Sequence, residues 1–489
     1  MVRSGRTPLT SAPGCTHIDD LPDGALHAVF DLLNPRDLVS AAATCKHWSA
    51  LTADDASDRA WRAFFTARWR PGDAVIVARP PVPPGEVVST RPAPPWRAAY
   101  GRRLAEASAL APPTRPAPDS LAGGHKGAAR AVALLPSLGL VGSAGADRVV
   151  RLFDLADGLP LATSRRLPFA VRCLAVNATC LAAASGSDER IALWQGGGEG
   201  GRDTPGNVPW DLSRRALVLS GHTGPVAGLA VSDAFPRLYS ASWDCSVRVW
   251  DTASLACLAA APLRDWVWTA VPRGGRVVCS EGRGAAVLDG GTLSVLARVP
   301  PSLSSTNPPG PCARVEGSRD GRSLFVAHAD GGVASYDLRS PGTTAHTPAR
   351  SAIFVHPGTP AFPPASSLAY DDPWLALGLG SAGIVLLDTR SGGGGGGGGG
   401  HTMRRFGTSA AAAGQVLGVD LAGPHLAAAC SSGTVLTWRW DAVAAAAARA
   451  RAARGGSGGR QRQHTHQPHP HQVAAVVADC WEDAAVAAA

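Results

Sequence analysis

Two patterns in this 489-residue sequence predict a small all-α domain followed by an all-β propeller of seven blades. Apolar residues in 17–66 recur at helical spacing, whereas from residue 121 short apolar runs alternate with Gly, Ser, Asp and Asn turns. Within the second region an aromatic or leucine marker returns at 153, 194, 250, 288, 336, 387 and 438. Intervals of 38–56 residues suit one four-stranded blade each.

Composition permits a packed core and many turns. Charged residues are 17% and hydrophobic residues 45%, with 57 Gly and 40 Pro. The formal net charge of +8 is explained more readily by Arg-rich linkers than by an anionic partner. No stripe of Lys and Arg is interleaved with aromatics, so nucleic-acid binding is not expected. The ten Cys are scattered without a Cys-x-x-Cys pair, which argues against a metal site or a disulfide scaffold. That usage suits a reducing compartment, cytoplasmic or nuclear. Met1 to Cys15 carries Arg3 and Arg6 but no apolar stretch, so no signal peptide is expected. No run of about 18 strongly apolar residues is present to span a membrane.

Residues 1–16 read as disordered and residues 17–66 as three short helices. Asp19 and Asp20 can cap the first, and Pro22 suits its first turn. Leu26, Val29, Phe30 and Leu33 then form one apolar face, which ends at Asn34-Pro35. Leu38, Ala42 and Cys45 make a second stripe, followed by Trp48 and Leu51, and Trp61, Phe64 and Phe65 close the segment. So much apolar surface on about fifty residues calls for a partner.

Leu21-Pro22, Leu26, Val29-Phe30, Leu33, Asn34-Pro35-Arg36-Asp37-Leu38, Ala42, Cys45, Trp48 and Leu51 together resemble the F-box. Trp61-Arg62-Ala63-Phe64 and Trp96-Arg97-Ala98-Ala99-Tyr100 are similar to segments that follow the F-box in F-box/WD proteins. The resemblance implies docking on a Skp-type adaptor, and through it on a cullin. Leu21, Pro22, Leu26, Val29, Phe30, Leu33, Pro35 and Leu38 are the adaptor-binding candidates it marks. Residues 67–120 read as a spacer: a Pro-rich loop, a helical stretch from Trp96 to Leu110, and a stiff linker around Pro112-Pro113.

The clearest repeat runs Gly221-His222, an apolar strand Val226 to Val231, Leu238 to Asp244, and Val247 to Asp251. A Gly-His, a turn Asp and a Trp-Asp six residues later resemble the WD repeat. The six-residue spacing recurs from Asp147 to Phe153, Asp188 to Trp194, Asp244 to Trp250 and Asp330 to Tyr336. The resemblance implies a WD-repeat propeller over 121–441 and a buried network in unit three of His222, Ser240 or Ser242, Asp244 and Trp250. Phe153 and Tyr336 cannot supply an indole N–H, so the other units lack the full set. These residues read as core and not as catalytic groups.

Residues just before Gly124 can add the outer strand of the blade ending near Trp438. Gly196 to Gly206 and the nine glycines Gly392 to Gly400 read as flexible loops. Residues 442–489 form a low-complexity tail, in which Val473 to Trp481 could return as a strand. Its His464, His466, His469 and His471 lie among prolines and follow glycines, so no metal is expected there.

No Gly-x-x-x-x-Gly-Lys or His-Glu-x-x-His occurs, and neither enzyme activity nor a cofactor is expected. The F-box/WD resemblance implies the substrate-recognition subunit of an SCF-type ubiquitin ligase; a WD-repeat interaction scaffold outside ubiquitylation is the alternative. By the same resemblance, two positions per blade face the target. One starts the innermost strand and holds Arg130, Arg172, Ala227, Trp268, Arg314 and Leu417; the other precedes the turn Asp and holds Trp243. Arg130, Arg172, Trp243, Trp268 and Arg314 are therefore the substrate-binding candidates, for an acidic or phosphorylated target.

Overall fold

The computed structural model describes residues 23–69 and 95–109, apart from 31–32, 34, 45 and 53–54. It also describes residues 119–439, apart from 122, 197–207, 233–234, 283, 300–313, 329–330, 342–347, 356–362, 390–402 and 407–413. Residues 1–16, Leu21, Pro22, Asp330, the nine-glycine run and the tail lie outside the described residues. The chain divides into two compact units, Met1–Ala67 with Ala74–Arg102, and Arg68–Asp73 with Arg103–Ala489.

The first unit is helical. Its elements are α1 (Asp23–Phe30), α2 (Pro35–Thr44), α3 (Lys46–Leu51), α4 (Asp55–Arg68) and α5 (Pro95–Ala109). Four helices thus stand where three were expected, because α2 ends at Thr44 and a separate α3 starts at Lys46. Thr52 marks the stop of α3: its hydroxyl donates to the Trp48 carbonyl at 2.9 Å. Leu26, Phe30, Leu38, Leu51, Trp61 and Phe65 are buried. Phe30 meets Trp48 edge-on at 5.4 Å, and Trp61 meets Tyr100 at 5.5 Å. The Trp96 N–H at the start of α5 donates to Asp58 at 2.9 Å, and the Trp96 ring packs on Phe65 at 5.5 Å. Part of the expected spacer therefore belongs to this unit, since its aromatic residues fill the gap beside α4.

The second unit is a ring of seven four-stranded antiparallel sheets. In blades 1 to 6, spanning 129–163, 173–219, 226–262, 270–299, 314–355 and 367–406, the strands lie in chain order. Blade 7 takes three strands from 416–439 and its fourth from Asp119–Ser120, which pairs with Thr437 and Leu436. The propeller thus begins two residues upstream of 121. The Leu121 N–H extends that pairing to the Val435 carbonyl at 3.0 Å. First strands of successive blades contact one another around the ring, so they line its central channel.

Alternating side chains on each strand feed the cores between blades, and small residues let the sheets approach. Ala182, Ala183 and Ala184 in blade 2 and Ala427, Ala428 and Ala429 in blade 7 are fully buried. Leu121, Val132, Val141, Phe153, Ala427 and Val435 join blades 1 and 7 in one apolar cluster. The Asp420 carboxylate adds a polar staple across that seam, accepting the Leu134 N–H at 2.7 Å. The turn before the third strand needs a left-handed residue, and Arg148 (φ 69°), Cys245 (φ 60°) and Gly433 (φ 92°) supply it. Among the described residues no helix is long and apolar enough to cross a membrane.

Candidate functional site

Each blade's first strand starts at the end of the sheet where its second strand stops. In blade 3 Val226 pairs with Ser242, and the next residue, Trp243, donates its N–H to the Pro225 carbonyl at 3.0 Å. Arg172 likewise sits at the start of the inner strand of blade 2, its N–H donated to the Ala184 carbonyl at 2.9 Å. Trp268 precedes the inner strand of blade 4, and Arg314 opens that of blade 5. Four residues from four blades therefore emerge at one end of the channel.

They converge on one ring. The Arg172 guanidinium lies over the Trp268 indole at 4.6 Å from its centroid, and the Arg314 guanidinium at 5.1 Å. Trp243 packs against the same indole at 5.0 Å. Blades 2 and 5 are separated by two others, so a ring that side chains from both can reach extends over the channel mouth. Arg314 is held in place by its Nε, which donates to the Ser366 carbonyl of blade 6 at 2.9 Å. Arg130 is exposed, and among the described residues no ring or ion contact joins it to this cluster. Ala227 is buried.

Trp266 joins the cluster without having been singled out in the sequence. It is 51% exposed and stacks on Trp243 at 5.5 Å with an 18° interplanar angle. The signal was the spacing Trp266-Val267-Trp268: two residues apart on an extended segment face the same way.

The polar network of blade 3 has a fixed direction. Trp250 Nε1 donates to Ser240 Oγ at 2.8 Å, and Ser240 Oγ lies 2.7 Å from His222 Nε2. His222 Nδ1 reaches Asp244 at 2.8 Å. With indole N–H groups and carboxylates at the ends, the chain is satisfied when Ser240 donates to Nε2 and Nδ1–H donates to Asp244. Burial holds the His222 pKa below its ordinary value against the opposing pull of Asp244, so the ring is neutral at neutral pH. Burial alone would raise the Asp244 carboxyl, but hydrogen bonds from Ser246, His222 and the Thr223 N–H hold it lower than usual. Ser242, the other serine considered, instead donates to the Gly224 carbonyl at 2.9 Å.

Blade 1 repeats the pattern, with His125 Nδ1 to Asp147 and Nε2 to Ser143, both at 2.8 Å. Blade 5 has a different solution that the sequence reading missed: His328 Nε2 meets the Tyr336 hydroxyl at 3.1 Å. A Ser–His–Asp set resembles hydrolytic machinery only on paper, since Ser240 is wholly buried. Burial also pushes the Cys173, Cys180 and Cys279 thiols up to about 12, which leaves them protonated. Among the described residues no group of three His, Cys, Asp or Glu is placed to hold a metal.

In the helical unit the candidates separate by exposure. Leu26, Phe30 and Leu38 are core, Leu33 and Pro35 are half-buried, and Val29 is exposed on α1. Leu21 and Pro22 fall outside the described residues.

Comparison with known proteins agrees with this division. Residues 18–66 match the F-box-like family, and residues 213–251, which hold every residue of the complete network, match the WD domain, G-beta repeat. An F-box/WD-40 repeat-containing protein of Arabidopsis thaliana is 29% identical over 377 residues, 77% of this chain and 64% of that protein. A periodic tryptophan protein 2 homolog of Dictyostelium discoideum is 33% identical over 132 residues, 26% of this chain and 13% of that protein. The chain thus spans less than two thirds of the length of either relative. An F-box-like domain at the N-terminus and a seven-bladed WD-repeat propeller behind it make this chain an F-box/WD-repeat protein.

Proposed function

We propose that the chain is the substrate-recognition subunit of an SCF-type ubiquitin ligase, acting in the cytoplasm or nucleus. The F-box-like unit docks on a Skp-type adaptor, which holds a cullin, and the propeller holds the target protein. The observation that carries this reading is the pairing, in one chain, of an F-box-like unit with a propeller bearing Arg172, Arg314, Trp243 and Trp268 in one cluster. The target is acidic or phosphorylated, because guanidinium groups bind carboxylate and phosphate by paired, charge-assisted hydrogen bonds. Arg130 adds to the positive field of that end. The chain breaks no bonds itself. Holding target and charged ubiquitin carrier in one assembly raises their effective concentration, which is the whole of its contribution to rate.

Co-purification tests the reading. The wild-type chain captures a Skp-type adaptor. A Leu21→Ala/Pro22→Ala variant, and separately Val29→Glu at the exposed position on α1, lose it while the propeller keeps its hydrogen-exchange protection. Truncating such an anchor costs at least about 2 kcal/mol. An adaptor that never co-purifies, with targets still bound, replaces this reading by a scaffold outside ubiquitylation. Changing Arg130, Arg172 and Arg314 together to Ala abolishes target capture and its salt dependence.

A further inference from the structure

Four arginines stand exposed where blades 1 and 2 meet. Arg165 and Arg166 lie in the link between the blades, and Arg214 and Arg215 precede the outer strand of blade 2, Leu217–Leu219. The two pairs are neighbours, because the Arg165 N–H donates to the Leu212 carbonyl at 3.3 Å. Beneath them Leu167, Phe169, Trp194, Trp210 and Leu212 share one buried cluster. Their backbones are anchored as well: the Ser164 hydroxyl donates to the Arg165 carbonyl at 2.9 Å, and the Trp194 indole N–H to the Arg214 carbonyl at 3.4 Å. The segments are therefore fixed while the four side chains remain in solvent.

Their charge is little neutralised. Among the described residues only Arg214 of the four meets a carboxylate, Asp211 at 3.0 Å, and that pair is exposed on both sides and worth little. Arg166 reaches the Asp147 carbonyl at 3.4 Å, but the Asp147 carboxylate is bound to His125, and Asp188 pairs with Arg190. The surface between the arginine pairs is apolar: Ala162 and Ala216 pack on the shared cluster, and Val218 is 51% exposed. An occupant must therefore be acidic and carry an apolar group. The chain's own tail has such a stretch. Past Asp441 the next acids are Asp479, Glu482 and Asp483, set around Trp481, and the residues between carry five Arg and no acid. About forty residues separate Asp479 from Arg439, and a flexible chain of that length spans about 35 Å, against about 10 Å between packed sheets. Arg439 ends the third strand of blade 7, which packs directly on blade 1.

We propose that the outer face of blades 1 and 2 is a docking surface for the chain's own acidic stretch, with Asp479, Glu482 and Asp483 on the Arg165–Arg166 and Arg214–Arg215 pairs and Trp481 beside Val218. The Arg-rich residues before Asp479 are repelled by the same surface, so the acidic stretch and not the linker is held. Tethering makes the contact intramolecular, with an effective concentration in the millimolar range that lets modest contacts keep the surface occupied. This face lies on the rim between two blades, apart from the channel mouth.

Photocrosslinking on the full chain, with benzoylphenylalanine in place of Ala484, tests the proposal. Crosslinks fall within 162–168 and 208–218, at a yield that dilution does not change and that falls as salt rises. Arg165→Glu/Arg166→Glu/Arg214→Glu/Arg215→Glu lowers the yield at least about tenfold, the worth of one charge-assisted hydrogen bond or more. Adding Asp479→Lys/Glu482→Lys/Asp483→Lys to that variant restores the yield, which a misfolded surface could not do. The milder Arg165→Gln/Arg215→Gln change lowers it partway, and Trp481→Ala lowers it with the charges intact. Crosslinks that scatter over other blades, or that join differently tagged chains, overturn the proposal. So does a yield indifferent to the arginines and to salt, or one that the charge swap fails to restore. All of these are read without adaptor or target, so a failure here leaves the function proposed above untouched.

Discussion

Blades 1 and 3 carry the same His–Ser–Asp arrangement at nearly the same distances and differ at one buried aromatic, Phe153 against Trp250. Both rings are fully packed, but only the indole donates to its serine. In blade 5 the same position holds Tyr336, and its hydroxyl meets a histidine from another place in the blade. The repeat therefore keeps a large buried apolar or aromatic side chain at this position, leucine at 288 and 387, and blades 1, 3 and 5 tolerate three different polar arrangements around it. Packing sets the blade, and the hydrogen bonds are an increment on top of it.

The largest break in this comparison is Asp244→Ala. It removes the acceptor of His222, of the Thr223 N–H and of the Ser246 N–H and hydroxyl. A buried group left unpaired costs roughly 1–3 kcal/mol, so blade 3 should lose about 3 kcal/mol of protection, read by hydrogen exchange. Asp147→Ala strips blade 1 of fewer partners and costs about 2 kcal/mol by the same measure.

Acid treats the two blades alike. Both histidines have folded pKa values below the ordinary one because of burial. Their contribution is complete above the unfolded value of about 6.5 and is lost as pH falls below it, when the unfolded chain takes up protons that the folded chain resists. Asp147 and Asp244, held low by their hydrogen bonds, keep their contribution until the pH drops below the ordinary carboxylate range. The urea midpoint should fall between pH 7.5 and 5, and a His125→Asn/His222→Asn variant should show a flatter dependence.

Trp250→Phe is the smallest step and sharpens the comparison. It turns blade 3 into a copy of blade 1, costs about 1 kcal/mol for one hydrogen bond, and should bring the exchange rates of the two blades together. In the unaltered chain, blade 6, whose sequence offers no turn Asp, should exchange faster than blade 3.

The ring was legible because its markers are local: an Asp six residues before an aromatic reports a turn and a strand in one short window. Four of the five proposed target-facing residues meet for the same reason, since aligned strand starts lie around one channel mouth. Arg130 shares the alignment but not the contact, because reach toward Trp268 depends on the ring position of each blade, which the alignment does not contain. Trp266 was overlooked because it lies two residues before the aligned position Trp268, in a loop whose shape is set by long-range bonds to Ser242, Ser280 and Gly282. The break between α2 and α3 also escaped, since an apolar stripe does not say where a helix axis changes.

The strand Asp119–Ser120 gives the ring a schedule. Its partners Leu436 and Thr437 are made more than 300 residues later. At about 5–20 residues per second, a ribosome exposes the waiting strand for roughly 15 to 60 s before its mate appears. For that time blades 1 to 6 form an open arc, with the Phe153 and Leu121 side of blade 1 uncovered. The helical unit is synthesised long before, while the propeller is still a string of unclosed sheets. Any premature stop before Val435 leaves a chain that has the helical unit and no closed ring.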